Sequence, residues 1–279
     1  MMSVLYVVGT PIGNLGDMSP RAVETLSSVD FIAAEDTRVT LKLLNHFNIK
    51  KPLISYFEHN KAERGEIICQ KILSGQSCAL VTDAGMPAIS DPGEELVRQC
   101  REKGIKTVAV PGPSAVVSAL ALSSLPTGRF TFEGFLSMNK KSRREHLEEI
   151  KDERRTMVFY EAPHKLPSTL NDLYNALGDR EISIVRELTK LHEEVIHTTL
   201  KAAVEKYGDG GIRGEIVLVI KGAEKKQEEN LTLEQAVALA ADLCNNDGCS
   251  LSDACKRAAK ETGFKKGEIY KTLLSRKDG

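Results

Sequence analysis

Several familiar signals are missing from this sequence. Its six cysteines (Cys69, Cys78, Cys100, Cys244, Cys249 and Cys255) contain no C-x-x-C pair, so no zinc ribbon or dithiol redox motif is spelled out. Cys69, Cys78 and Cys100 fall in or beside apolar segments, where a thiol behaves as a small hydrophobe. Free thiols, no disulfides, no metal site and a reducing, cytoplasmic setting are expected. No apolar run approaches the roughly 18 residues of a membrane span, and Met1 to Gly13 lacks the basic stretch of a signal peptide, so no membrane partner is expected. Charge of one sign is also scarce. The net charge is −1, which excludes a polycation and requires any nucleic-acid surface to be local.

The remaining composition is that of a soluble globular protein: 41% hydrophobic and 28% charged over 279 residues, enough for two medium domains or a large one with an appendage. Three loops stand out. Residues 80–93, Leu-Val-Thr-Asp-Ala-Gly-Met-Pro-Ala-Ile-Ser-Asp-Pro-Gly, lie between an apolar strand (Ser77 to Thr82) and a helix (Glu94 to Glu102). Pro87 and Pro92 have no N–H to donate, and Gly85 and Gly93 accept backbone angles that other residues avoid, so the segment reads as a stiff loop at the carboxyl end of a strand. Ligands of open α/β sheets bind there. The plainer reading is a connector whose aspartate caps the next helix, but two further loops of the same kind shift the balance. One is Gly9-Thr-Pro-Ile-Gly-Asn-Leu-Gly-Asp17 after the strand Val4 to Gly9; the other is Pro111-Gly-Pro-Ser-Ala115 after the strand Thr107 to Val110. The first is neither G-x-G-x-x-G nor a Walker loop, since no lysine follows its glycines. At the third, Ser114 and Ala115 open a helix whose free N–H groups can meet polar ligand atoms.

Two more strand ends gather polar groups: Glu35-Asp36-Thr37-Arg38, and Tyr56-Phe-Glu-His-Asn60. A helix cap with an ion pair accounts for the first as well as a site does, and a lone His59 is more often solvated than functional. Strands and helices alternate through residues 1–115, which predicts a mostly parallel sheet. A second α/β domain is expected over 116–222. It includes the cationic run Lys140, Lys141, Arg143 and Arg144, which reads as a solvated helix start before it reads as a phosphate patch. A charged linker from Ala223 to Asn230 leads to three short helices within 231–279, with a helix–turn–helix spacing. From residue 251 onward eight Lys/Arg, among them Lys265, Lys266, Arg276 and Lys277, face four Asp/Glu, a local basic excess that fits RNA contact.

The loop motifs, with Phe132-Glu-Gly-Phe-Leu136, Phe159-Tyr-Glu-Ala-Pro163 and Arg186-Glu-Leu-Thr-Lys190, resemble the ribosomal small-subunit RNA methyltransferase I family of the tetrapyrrole methylase superfamily. The resemblance runs from the N-terminus to about Lys221. It implies two α/β domains with S-adenosylmethionine in the cleft between them, a homodimer, and methylation of the ribose 2′-hydroxyl of a cytidine in the decoding region of 16S rRNA, free or within the 30S subunit. It also implies that the donor is met by Pro11, Asp83, Met86, Ser114, Ala115, Tyr160, Glu161, Leu188 and the last strand near Leu218. Expected general bases are Lys190, provided its neighbours depress its pKa, and His59, with Glu193 or Glu187 orienting the base. Asp36, Arg38, His59 and Asn60 form the expected acceptor side, with Arg38 on phosphate. The cationic run and the tail are expected to hold the RNA backbone. Two rivals stand beside this reading: a methylase of the same superfamily acting on a tetrapyrrole-like small molecule, and a non-catalytic RNA-binding assembly factor.

Overall fold

The computed structural model describes residues 3–224 and 232–275, apart from the side chain of Asp247. Two compact units, Met1–Ala223 and Glu224–Gly279, make up the chain. Most of the linker expected at 223–230, and Arg276 and Lys277 of the basic count, lie outside the described residues.

The first unit holds two five-stranded sheets. In the first sheet, β1 (Val4–Val8), β2 (Phe31–Ala34), β3 (Leu53–Ser55), β4 (Cys78–Val81) and β5 (Lys106–Val110) alternate with α1 (Pro20–Ser28), α2 (Thr37–His46), α3 (Lys61–Leu73) and α4 (Gly93–Glu102). The strands lie in the order β3-β2-β4-β1-β5 and every pair is parallel. β2 and β4 are buried along their whole length, as strands covered by helices on both faces must be. Helix starts follow local chemistry. Ser19 accepts the Ala22 N–H ahead of Pro20, and Asp36 accepts the Arg38 N–H, so α2 begins at Thr37.

After α5 (Ala115–Leu122), the second sheet comprises β6 (Phe130–Gly134), β7 (Thr156–Glu161), β8 (Glu181–Arg186), β9 (Glu194–Thr199) and β10 (Ile216–Ile220), with α6 (Lys140–Ile150), α7 (Leu166–Leu177) and α8 (Leu200–Tyr207). Its order is β6-β7-β10-β8-β9; only β6 and β7 run parallel, and the other pairs are antiparallel. Alternation along β10 divides two cores. Ile216, Leu218 and Ile220 pack among the helices, while Val217 and Val219 join Val116, Ala119 and Leu120 of α5, Val158, Val185, Leu188 and Ile12. This second cluster joins a loop of the first sheet to the inner face of the second.

In the other unit, α9 (Leu233–Asp247), α10 (Leu251–Thr262) and α11 (Lys266–Ser275) pack around Val237, Ala240, Cys255, Ala258 and Ile269. Ser250 caps α10 and the left-handed Gly263 ends it.

Because β4, β1 and β5 are neighbours, their three Pro/Gly loops emerge side by side. The Gly9 N–H donates to the Val110 carbonyl at 3.0 Å, and Thr10 and Gly85 exchange N–H···O bonds of 2.9 and 3.1 Å. Gly9 and Gly112 are almost in contact: a methyl at Gly9 would sit 2.7 Å from Gly112 Cα and 2.7 Å from Met86 Sδ. Gly9→Ala therefore forces two loops apart and is expected to cost about 1–3 kcal/mol of stability, read as a shift of the urea-unfolding midpoint.

Candidate active site

The loops of the first sheet and the ends of β7, β8 and β10 enclose a cavity of about 390 Å³, a size suited to a cofactor. Its apolar wall includes Ile12, Met86, Tyr160, Val185, Leu188 and Val217; its titratable residues besides Tyr160 are Glu35, Asp83, Asp91, Glu161 and Glu215. The lining contains five carboxylates and no lysine, arginine or histidine. Among the described residues no group of three or more His, Cys, Asp or Glu is arranged to hold a metal ion.

Each carboxylate is held by local geometry. Asp83 Oδ1 accepts the Asp36 N–H at 3.1 Å, which brings the strand end after β2 to the cavity. Burial pushes the Asp83 carboxyl up; the Asp36 N–H opposes this, the charges of Glu35 and Asp36 add to it, and Arg38 pulls the other way. Asp91 accepts the N–H groups of Ala88, Ile89 and Gly93 at 2.9, 3.2 and 2.8 Å, yet burial still raises its pKa. Glu35 accepts the Thr82 hydroxyl at 2.5 Å. Glu161 is buried at the end of β7. Tyr160 rests against Phe132 and Phe135, and burial raises its phenol against the pull of the Val116 N–H.

Of the expected donor contacts, Asp83, Met86, Ser114, Ala115, Tyr160, Glu161 and Leu188 line the cavity. Pro11 does not; its neighbour Ile12 does. Leu218 points to the helical side of its sheet, and Val217 takes the place at the wall.

The expected bases fare differently. Lys190 Nζ binds Glu187 Oε1 at 2.9 Å and Glu215 Oε2 at 3.1 Å. Burial alone pulls its pKa down, but the two carboxylates outweigh it and hold the ammonium above the ordinary lysine value. The condition for a neutral lysine base is not met. Glu187 thus holds Lys190 as expected, and both Glu187 and Glu193 also fix backbone. Glu187 Oε1 also accepts the Glu215 N–H at 2.9 Å, and Glu193 Oε2 accepts the Thr189 N–H at 2.6 Å. His59 is exposed on the turn after β3, edge-on to Phe57, and does not line the cavity. Asn60 turns its amide inward, accepting from Phe57 N and donating to the Ser55 carbonyl.

Asp36 and Arg38 pair with each other at 2.6 Å, and Arg38 holds the Asp36 carboxyl at about 2. Lys140, Lys141 and Arg144 are exposed on α6, whereas Arg143 turns inward to Asp172 and Thr169. In the helical unit Lys265 and Lys266 are exposed, and Lys266 donates to Ser252 Oγ at 2.8 Å.

Ile12, Glu35, Asp91, Phe135, Val185, Glu215 and Val217 belong to the wall without having been singled out as contacts. Asp91 lies inside the central loop motif, eight residues after Asp83. Ile12, Glu35 and Phe135 likewise lie inside the sequence motifs, whereas Val185, Glu215 and Val217 become visible only once the strand ends are placed.

The Tetrapyrrole (Corrin/Porphyrin) Methylases family matches residues 4–204. A protein of Synechocystis sp. (strain ATCC 27184 / PCC 6803 / Kazusa) named ribosomal RNA small subunit methyltransferase I is 46% identical over 98% of both chains. One of the same name from Thermotoga maritima is 48% identical over 80% of this chain and its own whole length. Among solved structures, a uroporphyrin-III C-methyl transferase from Thermus thermophilus complexed with S-adenyl homocysteine superposes with a TM-score of 0.57 at 16% identity, over 78% of this chain and 96% of that one. It shares the fold.

The Asp83 shift has a consequence for stability. A carboxyl raised in the folded state contributes stability below its unfolded pKa of about 3.9 and loses it as pH rises through the folded value. The ionised group thus opposes folding at neutral pH. Asp83→Asn is expected to melt higher than the parent at pH 7, with the gap closing as pH falls toward about 4, in thermal melts across a pH series.

Proposed function

From the premise that this chain belongs to the tetrapyrrole methylase family and, within it, to the ribosomal RNA small subunit methyltransferases I, we propose that it transfers a methyl group from S-adenosylmethionine to ribosomal RNA. The finer proposal is that the acceptor is the 2′-hydroxyl of a cytidine ribose in the decoding region of 16S rRNA, free or within the 30S subunit. The observation that carries the reading is the cavity with five carboxylates and no cation in its wall. Such a wall suits a sulfonium ligand and disfavours both a phosphate and a porphyrinoid bearing carboxylates. The residues fit the donor in shape as well: apolar walls, a few fixed acceptors, and the amino end of α5 at Ser114 and Ala115.

When bound, the donor supplies a methyl carbon already activated by its positive sulfur. The chain's task is to bind, orient and exclude water. Met86, Tyr160, Leu188 and Val217 cover apolar surface, and the backbone of the three loops offers hydrogen bonds without ordering long side chains. Alignment of reacting groups can contribute about 7–11 kcal/mol. Lys190, held positive, fixes Glu215 at the wall and ties down the segment after β8. Exposed Lys140, Lys141 and Arg144, together with Arg38, are proposed to meet RNA phosphates outside the cavity. The exposed edge of β5 and the exposed apolar side chains Val117, Leu122 and Phe130 support a homodimer. A cytoplasmic setting accords with the six free thiols.

Labelled methyl from the donor is expected to enter 30S RNA and not a porphyrinoid; the opposite result overturns the reading. In single turnover with saturating donor, Lys190→Ala is expected to slow transfer by less than about tenfold, whereas loss of a general base typically costs about 10²–10⁴-fold. Deleting 231–279 is expected to leave donor affinity unchanged and to reduce the slope of log K against log salt by about 0.7 per lost phosphate contact on single-stranded RNA, measured by filter binding over a salt series.

A further inference from the structure

A line of hydrogen bonds runs from the basic helix α6 to the cavity wall. Glu161 is only 5% exposed, and a carboxylate so covered needs partners on both oxygens. Oε1 accepts the N–H of Ala162 at 2.8 Å, and Oε2 accepts the hydroxyl of Thr169. Thr169, on the first turn of α7, is 1% exposed. Its hydroxyl has one hydrogen, which goes to Glu161, so its oxygen is left to accept. Arg143 Nη2 donates to it at 2.9 Å, and Arg143 Nε binds Asp172 Oδ2 at 2.6 Å. The direction of this chain is fixed. A guanidinium can only donate, so the Thr169 oxygen accepts there and its hydrogen goes on to Glu161, each link strengthening the next. Arg143 shows 14% of its side chain to solvent, while Lys140, Lys141 and Arg144 on the same turns are exposed. One cation of the run is diverted inward.

We propose that Thr169 and Arg143 are positioning residues for the methyl-donor site, acting through Glu161, which they hold as a fixed acceptor for a hydroxyl or ammonium group of the donor. The proposal rests on the reading of the cavity as the donor site. With both oxygens anchored, the carboxylate cannot swing at its place in the cavity lining. Preset acceptors bind more tightly because less ordering is left to the binding step.

The test is calorimetric titration of the full-length chain with S-adenosylhomocysteine. Thr169→Val, which keeps the shape and removes the hydroxyl, is expected to raise Kd about ten- to hundredfold, the usual effect of losing a hydrogen bond to a charged group. Thr169→Ser is expected to stay within about threefold of the parent, since it keeps the hydroxyl. Steady-state assays should show the donor KM rising in Thr169→Val with kcat little changed, the signature of lost ground-state binding. A general loss of packing would not be rescued by serine. Thr169→Val binding as tightly as the parent overturns the proposal, and so does Thr169→Ser binding as weakly as Thr169→Val. If Thr169→Val lacks a cooperative melt, Arg143→Met at the outer end of the chain takes over. A several-fold weaker Kd supports the proposal and an unchanged one overturns it. Failure of the parent itself to take S-adenosylhomocysteine overturns the donor-site reading, and the positioning role with it.

Discussion

The molecule's site depends on how closely backbone can approach backbone at the carboxyl ends of β1, β4 and β5. Gly9 and Gly112 leave no room for a side chain between the first and third loops, and Thr10 pairs with Gly85 as if the first and central loops were a short two-stranded ladder. The Thr10 hydroxyl adds a bond to the Thr82 carbonyl at 3.1 Å. These contacts use main chain and small groups, so rigidity comes without ordering long, entropically costly side chains. Parallel strand order makes it possible: three strands adjacent in space send their loops to one place although they are up to a hundred residues apart in sequence.

A net charge of −1 conceals a division of labour. Acidic residues line the cavity, and burial raises Asp83 and Asp91. Cations of the same unit stay outside its lining: Lys140, Lys141 and Arg144 on α6 and Arg38 at the start of α2. Under the reading proposed above, a polyanion would be met by these exposed cations rather than by the carboxylate-lined cavity. The sulfonium donor and the RNA acceptor proposed here carry opposite charge, and the protein offers each a separate field.

Much of this was legible in the sequence because it is written in local chemistry. Pro and Gly at strand ends marked the three loops, Ser19 and Pro20 marked a helix start, and spacing with Gly263 marked the last three helices. What was not legible depends on parity and on partners distant in sequence. Leu218 and Val217 are equally apolar, and only the antiparallel register of β10 against β7 and β8 decides which faces the cavity. Arg143 looks like its three cationic neighbours until α7 brings Asp172 and Thr169 to it. The lysine expected as a base sits beside Glu215, twenty-five residues away and outside the motif that contains Lys190.

The two irregular stretches of the cavity wall share a construction. The central loop has Ala88 and Ser90 at φ of 69° and 64°, and the segment after β8 has Glu187 and Thr189 at 52° and 64°. Left-handed backbone is costly for residues with a Cβ, of order 1–3 kcal/mol each, and persists only where surrounding contacts over-determine it. In both places a carboxylate does so. Asp91 gathers three N–H groups around Ala88 and Ser90; Glu187 and Glu193 take the N–H groups of Glu215 and Thr189, and Lys190 closes the segment from the other side. Glu187, which also holds Lys190, and Glu193 shape the wall through these backbone bonds. A wall shaped by clamped, strained backbone presents Ile89 and Leu188 at set positions, which neither a strand nor a helix could supply at that point of the chain. The acidic residues of this site therefore have two separable tasks: some face the ligand, and others hold the backbone that shapes the space for it.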